Sequence, residues 1–205
     1  MRRTHQLTLA ALAAVALGIA TGVAYAQTPT EKLDISAFAI NMSNIATGTN
    51  AVVQINVDSW SSAEEREMLI TTMVEKKPDD LLKAIQKLSR KGTFRIPTAR
   101  PPDPHHLSLG LPIRYAWQTP LPDGGKRIVL AYDRYIGFAE ARDQPRSFDY
   151  PITLMEIRVD KDGKGQGKMA VATKIDFDKD KKVVQIENYG SEPVRLNEVK
   201  LKVKS

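Results

Sequence analysis

The amino-acid sequence predicts a mainly β protein of the α+β class, an antiparallel sandwich or a partly closed barrel with a helical-hairpin insertion. Three observations lead to this class. Apolar residues recur at every second position in about eight or nine short segments, the period of a half-buried strand. Most of these segments are linked by short stretches rich in Gly, Asp and Asn, and short links make neighbouring strands antiparallel. Only between about residues 62 and 91 does the apolar period lengthen to that of a helix.

Leu33, Ile35 and Ala37 alternate, and Phe38 and Ile40 extend the apolar character, so Leu33 to Met42 reads as a strand that becomes buried. Ser43 to Asn50 has the composition of a turn. Ala51, Val53, Ile55 and Val57 then share one face of a partner strand. Ser62 with Glu65 three residues on is a capping-box pattern, followed by Leu69, Ile70, Met73 and Val74 at helical spacing. Pro78 opens a second helix with Asp79 and Asp80 at its positive end. Leu81, Leu82, Ile85 and Leu88 form its stripe, Lys87, Arg90 and Lys91 suit its other end, and Gly92 is placed to stop it. After a short strand at Thr93 to Ile96, the stretch Pro97 to Pro112 contains five prolines and reads as an exposed loop. Strands are expected at Ile113 to Gln118 and Lys126 to Asp133, joined through Asp123-Gly124-Gly125. Arg134 to Tyr150 is a loop or short connector. The remaining strands are Pro151 to Val159, Met169 to Phe177, Val183 to Asn188 and Val194 to Val203, with turns at Asp160 to Gly167 and Asp178 to Lys182.

The N-terminus carries an address. Arg2 and Arg3 precede an uncharged run from Leu7 to Ala24, which closes on Ala24-Tyr25-Ala26, the layout of a secretory signal peptide. Residues 1–26 are therefore expected to be removed, leaving a single β-rich domain over residues 27–205 in the periplasm or outside the cell. The run is eighteen residues of Ala-rich sequence with Gly18 and Gly22 and no basic cluster behind it, which favours cleavage over a stable membrane anchor. The chain has no cysteine, which excludes lipidation at the cut, disulfide support and thiol chemistry.

The mature balance is 28 basic residues against 24 acidic, a net +4, with lysines interleaved among acids as in Asp178-Lys179-Asp180-Lys181. This is too mild for a nucleic-acid binder and reads as a solvated mixed-charge surface. Two acidic runs touch on calcium-loop spacing. Asp176, Asp178, Asp180 and Glu187 fit four positions but place Lys181 where the turn needs glycine. Asp160 to Gly167 lacks two ligands, and it also lacks the ending of a phosphate loop. Hairpin turns explain both, and no cofactor is expected.

Asp103, His105 and His106 are the one metal-site candidate, weakened because adjacent histidines on an extended chain point apart. Asp133, Glu140 and Asp143 are the carboxylates best placed for acid–base work, in a loop after a strand. Trp60, Tyr115, Trp117 and Tyr132 are aromatic residues able to line a cleft, with Arg114, Asp133 and Arg134 as polar anchors; core packing with polar rim atoms accounts for the same residues and is the favoured reading.

The phrases Phe38-Ala39-Ile40-Asn41-Met42-Ser43-Asn44, Trp60 leading into Glu64-Glu65-Arg66, and Gln118 to Gly125 resemble a group of uncharacterised secreted bacterial proteins. Lys168 to Thr173 and Glu187-Asn188-Tyr189 extend the likeness over most of the mature chain. That resemblance implies an exported bacterial domain and carries no activity, cofactor or site residue. The expectation is a non-enzymatic domain that binds a small apolar ligand or another envelope protein, the alternative being an exported carboxylate-dependent hydrolase.

Overall fold

The computed structural model describes residues 29–42, 48–99, 107–134, 136, 152–171, 175–178, 183–186 and 194–204. Residues 1–26, expected to be a signal peptide, and Asp103, His105, His106, Glu140, Asp143, Asp180 and Glu187 lie outside these residues. Among the described residues no helix is long and apolar enough to cross a membrane.

The strands are β1 (Lys32–Asn41), β2 (Asn50–Val57), β3 (Gly92–Arg95), β4 (Leu111–Ile113), β5 (Tyr115–Pro120), β6 (Lys126–Tyr132), β7 (Thr153–Val159), β8 (Lys164–Val171), β9 (Ile175–Asp178), β10 (Val183–Ile186) and β11 (Val194–Lys204). Helices α1 (Ala63–Glu75) and α2 (Pro78–Lys87) lie between β2 and β3. Nine strands form one antiparallel sheet in the order β4-β3-β2-β1-β11-β8-β7-β6-β5, and β9 and β10 make a separate ribbon. Apart from that ribbon, strands adjacent in sequence pair with each other except β4 and β5, and β11 closes the circuit from β8 onto β1.

The two ends of the sheet meet. β4 and β5 stand at opposite ends of the strand order, yet only Arg114 separates them. Arg114 already donates its backbone N–H to Ala131 O at 3.0 Å, in the ladder with β6. The residues that face inward are odd-numbered in β4 (Leu111, Ile113) and even-numbered in β5 (Ala116), so the chain shifts parity at Arg114. One bent strand thus serves two neighbours, and the sheet becomes a nearly closed barrel. With β4 and β5 counted together it has eight strands, a girth that side chains can fill.

The interior is filled in this way. Leu33, Ile35, Ile55, Phe94, Ile113, Ile128, Leu130, Met155, Ile157 and Met169 are each at most 2% exposed and belong to one cluster. Gly165 and Gly167 also occupy inward positions of β8, where a Cβ would collide with the carbonyl oxygens of Arg158 and Glu156 on β7. They are strand residues that let two strands curl closely together, so the expected turn at Asp160 to Gly167 shrinks to Asp160–Gly163. There Asp160 Oδ1 accepts the backbone N–H groups of Asp162 and Lys164, both at 2.9 Å, and Gly163 takes φ +74°. The expected strand Met169 to Phe177 is divided between β8 and β9. Gly92 does not stop α2. It lies in β3, where a Cβ would strike Asn56 O, and α2 ends earlier with the Leu88 N–H on Ile85 O at 3.1 Å.

The helical hairpin packs outside the barrel. Ser62 Oγ accepts the Glu65 N–H at 3.1 Å and Glu65 Oε2 accepts the Ser62 N–H at 3.0 Å, so the capping box forms. Glu65 also holds Lys91 Nζ, 2.9 Å away, and this ties the start of α1 to the residues that enter β3. Ser62→Ala is expected to cost about 1 kcal/mol of stability, read from urea denaturation. An unchanged midpoint would mean that the cap is replaced by solvent. Leu69, Leu81, Ile85 and Leu88 form a second cluster with Ala131, Ile152 and Leu154 on the outer wall.

Candidate apolar crevice

An antiparallel wall with one wet face normally alternates apolar and polar residues. On β6 the sequence Ile128-Val129-Leu130-Ala131-Tyr132 is apolar on both faces. Ile128, Leu130 and Tyr132 fill the barrel, leaving Val129 and Ala131 on the outside beside Leu154 of β7. The hairpin covers this patch incompletely. A crevice of about 70 Å³ remains between α1, α2 and the wall, bounded by Leu69, Ile70 and Met73 of α1, Leu81 and Ile85 of α2, and Tyr115, Val129, Ala131, Ile152 and Leu154 of the barrel side.

Two side chains with polar groups border this space, whose exposed lining is almost wholly apolar. Arg66, one turn before Ile70 on α1, borders it and lies over the Trp117 ring with its guanidinium carbon 5.3 Å from the ring centroid. The Tyr115 hydroxyl is the second. Burial pushes its pKa well above the ordinary range even though the cations Arg66 and Arg127 pull the other way, so the phenol stays a proton donor. The arrangement is an apolar slot with one cation and one hydroxyl, a composition suited to binding.

The aromatic residues expected to line one cleft are divided by the barrel wall. Tyr115 and Trp117 share the outer face of β5, as their spacing predicts, and Tyr115 lines the crevice. Tyr132 lies inside the barrel, edge-to-face with Phe94 at 5.8 Å and 77°. Among the described residues its buried hydroxyl has no hydrogen-bond partner, and burial raises its pKa far beyond the usual range. Trp60 belongs to the interior cluster and donates its indole N–H to Glu31 O at 2.8 Å. Nearby, Glu31 accepts hydrogen bonds from Lys126 and Gln118; burial opposes its ionisation, but those bonds hold its pKa below the ordinary value. These contacts secure one end of the barrel.

The polar anchors form a clamp. Asp133 Oδ2 accepts from Arg114 Nε at 2.9 Å and Oδ1 accepts from Arg134 Nε at 3.1 Å, while Arg114 Nη1 donates to Leu88 O at 3.2 Å. Both carboxylate oxygens of Asp133 are thereby committed to joining the bend between β4 and β5 to the end of α2. Among the described residues no group of three His, Asp or Glu side chains is placed to hold a metal ion. The β9–β10 pairing supports the hairpin reading of the acidic run around Asp176 and Asp178.

The residues missed by sequence reasoning are Leu69, Ile70, Met73, Leu81 and Ile85, which read as ordinary core-facing helix residues, and Arg66, to which the sequence assigns no role. The available signal was the unbroken apolar run of β6, which requires cover on both faces. No protein-family model, curated protein or solved structure matches this chain.

Proposed function

We propose that this is an exported bacterial, non-enzymatic binding domain whose crevice between the helical hairpin and the barrel takes a small apolar ligand bearing one anionic or acceptor group. The carrying observation is the incompletely filled apolar slot with the Arg66 cation at its border and the protonated Tyr115 hydroxyl beside it. The signal-peptide pattern of residues 1–26 supports work in the periplasm or outside the cell. The commitment of Asp133 to two arginines disfavours it as a general base. An apolar side chain of an envelope protein, presented next to a carboxylate, would satisfy the same slot.

A short amphiphile tests this reading. Calorimetric titration of the chain from Gln27 with hexanoate is expected to show saturable binding, and hexylamine, whose head repels Arg66, should bind less well. Ile70→Trp places a bulky ring at the crevice and should weaken hexanoate by at least about tenfold, since burial of each methylene contributes about 0.8 kcal/mol. Equal binding of hexanoate by Ile70→Trp, with the thermal midpoint retained, would remove the crevice as the site. Native mass spectrometry of protein purified from its own envelope then identifies the resident ligand or partner.

A further inference from the structure

The outer wall opposite the hairpin has a different chemistry. β1 lies four strands round the barrel from β6 in either direction when β4 and β5 count as one. Lys200, Lys202 and Lys204 alternate along β11 with Val199 and Leu201, so the three lysines share its outer face. The registers bring further cations beside them. Lys200 stands directly across from Lys164 on β8, and Arg195 from Lys168. Lysines interleaved with other residues in the chain are thus gathered on one surface by strand periodicity.

Like charges directly opposite on neighbouring strands are destabilising. The acids nearby do little to relieve them. Asp34 is the register partner of Lys202, yet its carboxylate pairs with Lys204 Nζ at 3.1 Å, and Asp58 pairs with the same lysine at 3.4 Å. Among the described residues, Lys164, Lys200 and Lys202 have no carboxylate within ion-pair distance. A surface that keeps this repulsion has an electrostatic field suited to an anion.

A groove of about 370 Å³ runs across this wall. Lys200 and Lys202 border it on β11, Asp34 and Ser36 on β1, Gln54 and Asn56 on β2, and Arg95 on β3, with the Asp34 carboxylate held by Lys204. Gln54 Oε1 accepts from Arg95 Nε at 2.8 Å, which holds the guanidinium in place. One step along from the Ser36–Gln54 pair, Phe38 and Val52 stand opposite each other on the same outer face. Cations, amides and a hydroxyl beside an aromatic residue match a chain of hydroxylated rings that carries carboxylates.

We propose that this groove binds an anionic polysaccharide, its carboxylates against Lys200, Lys202 and Arg95 and its hydroxyls against Ser36, Gln54 and Asn56. This site is separate from the crevice, and either can fail without the other.

The test uses the chain from Gln27 and polygalacturonate as the probe, with neutral dextran and phosphatidylglycerol vesicles alongside. Polygalacturonate is expected to bind, with affinity falling by about tenfold between low and moderate salt, while dextran does not bind. Lys202→Glu should weaken binding by about tenfold, whereas Lys83→Glu on α2, with the same change in net charge, should alter it by less than about twofold. Gln54→Ala frees the Arg95 guanidinium without changing net charge and should weaken binding by about threefold. Thermal midpoints within a few degrees of the parent show that the variants remain folded. The proposal is overturned if polygalacturonate does not bind, if dextran binds equally, if only the vesicles bind, if Lys83→Glu matches Lys202→Glu, or if Gln54→Ala has no effect.

Discussion

Phe94→Ala is expected to lower stability by about 3–5 kcal/mol, the cost of deleting a fully buried aromatic side chain from a packed interior. Phe94 has no solvent exposure and meets Tyr132 edge-to-face, so the substitution loses burial and the ring contact together. Its place in β3, beside the bent strand that closes the barrel, makes collapse around the vacancy difficult, because β3 is hydrogen-bonded to β2 on one side and β4 on the other. In urea denaturation the midpoint should fall by about 1–5 M for a slope of about 1–3 kcal/mol/M. A loss under about 1 kcal/mol would show that the interior repacks freely and that the barrel is less tightly filled than its burial implies.

The second large effect is electrostatic. Glu156 projects from β7 on the outer wall and is only 8% exposed. Its Oε2 accepts from Arg127 Nη2 at 2.8 Å and its Oε1 from Arg158 Nε at 2.9 Å. Burial works against its charge, but the hydrogen bonds and positive charges of Arg127 and Arg158 outweigh this and hold its pKa below the ordinary 4.5. Glu156→Gln leaves the half-buried Arg127 guanidinium without its carboxylate and is expected to cost about 2–3 kcal/mol at neutral pH, less than a fully buried pair because Arg158 reaches water. A folded-state pKa below the unfolded one adds stability that is fully present above the unfolded value and is lost as pH falls through the folded value. The gap between parent and Glu156→Gln should therefore be constant from pH 7 to about 5 and shrink below about pH 4. Denaturation curves at pH 7, 5 and 3 check this; a gap that persists unchanged at pH 3 would show that the loss comes from shape rather than charge.

The strand-rich class, the antiparallel connections and the helical insertion were legible in the sequence because each rests on local chemistry. Ser62 and Glu65 cap α1 as their spacing predicts, Pro78 opens α2, and Leu81, Ile85 and Leu88 turn inward. What escaped was decided by contacts distant in sequence. Gly165 and Gly167 read as turn residues because glycine usually marks turns, whereas here strand β7 passes too close for a side chain. Tyr115 and Trp117 continue the alternation of Ile113, and nothing local signals that the chain shifts parity at Arg114 and sends them outward. The crevice was hidden for the same reason, since its walls belong to α1, α2 and strands that follow tens of residues later. The basic wall was hidden by counting charges along the chain, where Lys164 and Lys200 are far apart, instead of across a register that sets them opposite each other.

The pairing of β1 with β11 joins Lys32 to Lys204, so the first and last strands of the barrel are neighbours. No stable barrel can form while the last strand is missing, because β1 and β8 would both keep an open edge. Closure of the barrel therefore requires β11 and, by contact order, is expected to be slow. Once β11 is in place neither β1 nor β8 keeps an open edge, so the finished barrel offers no long strand there for another chain to pair with.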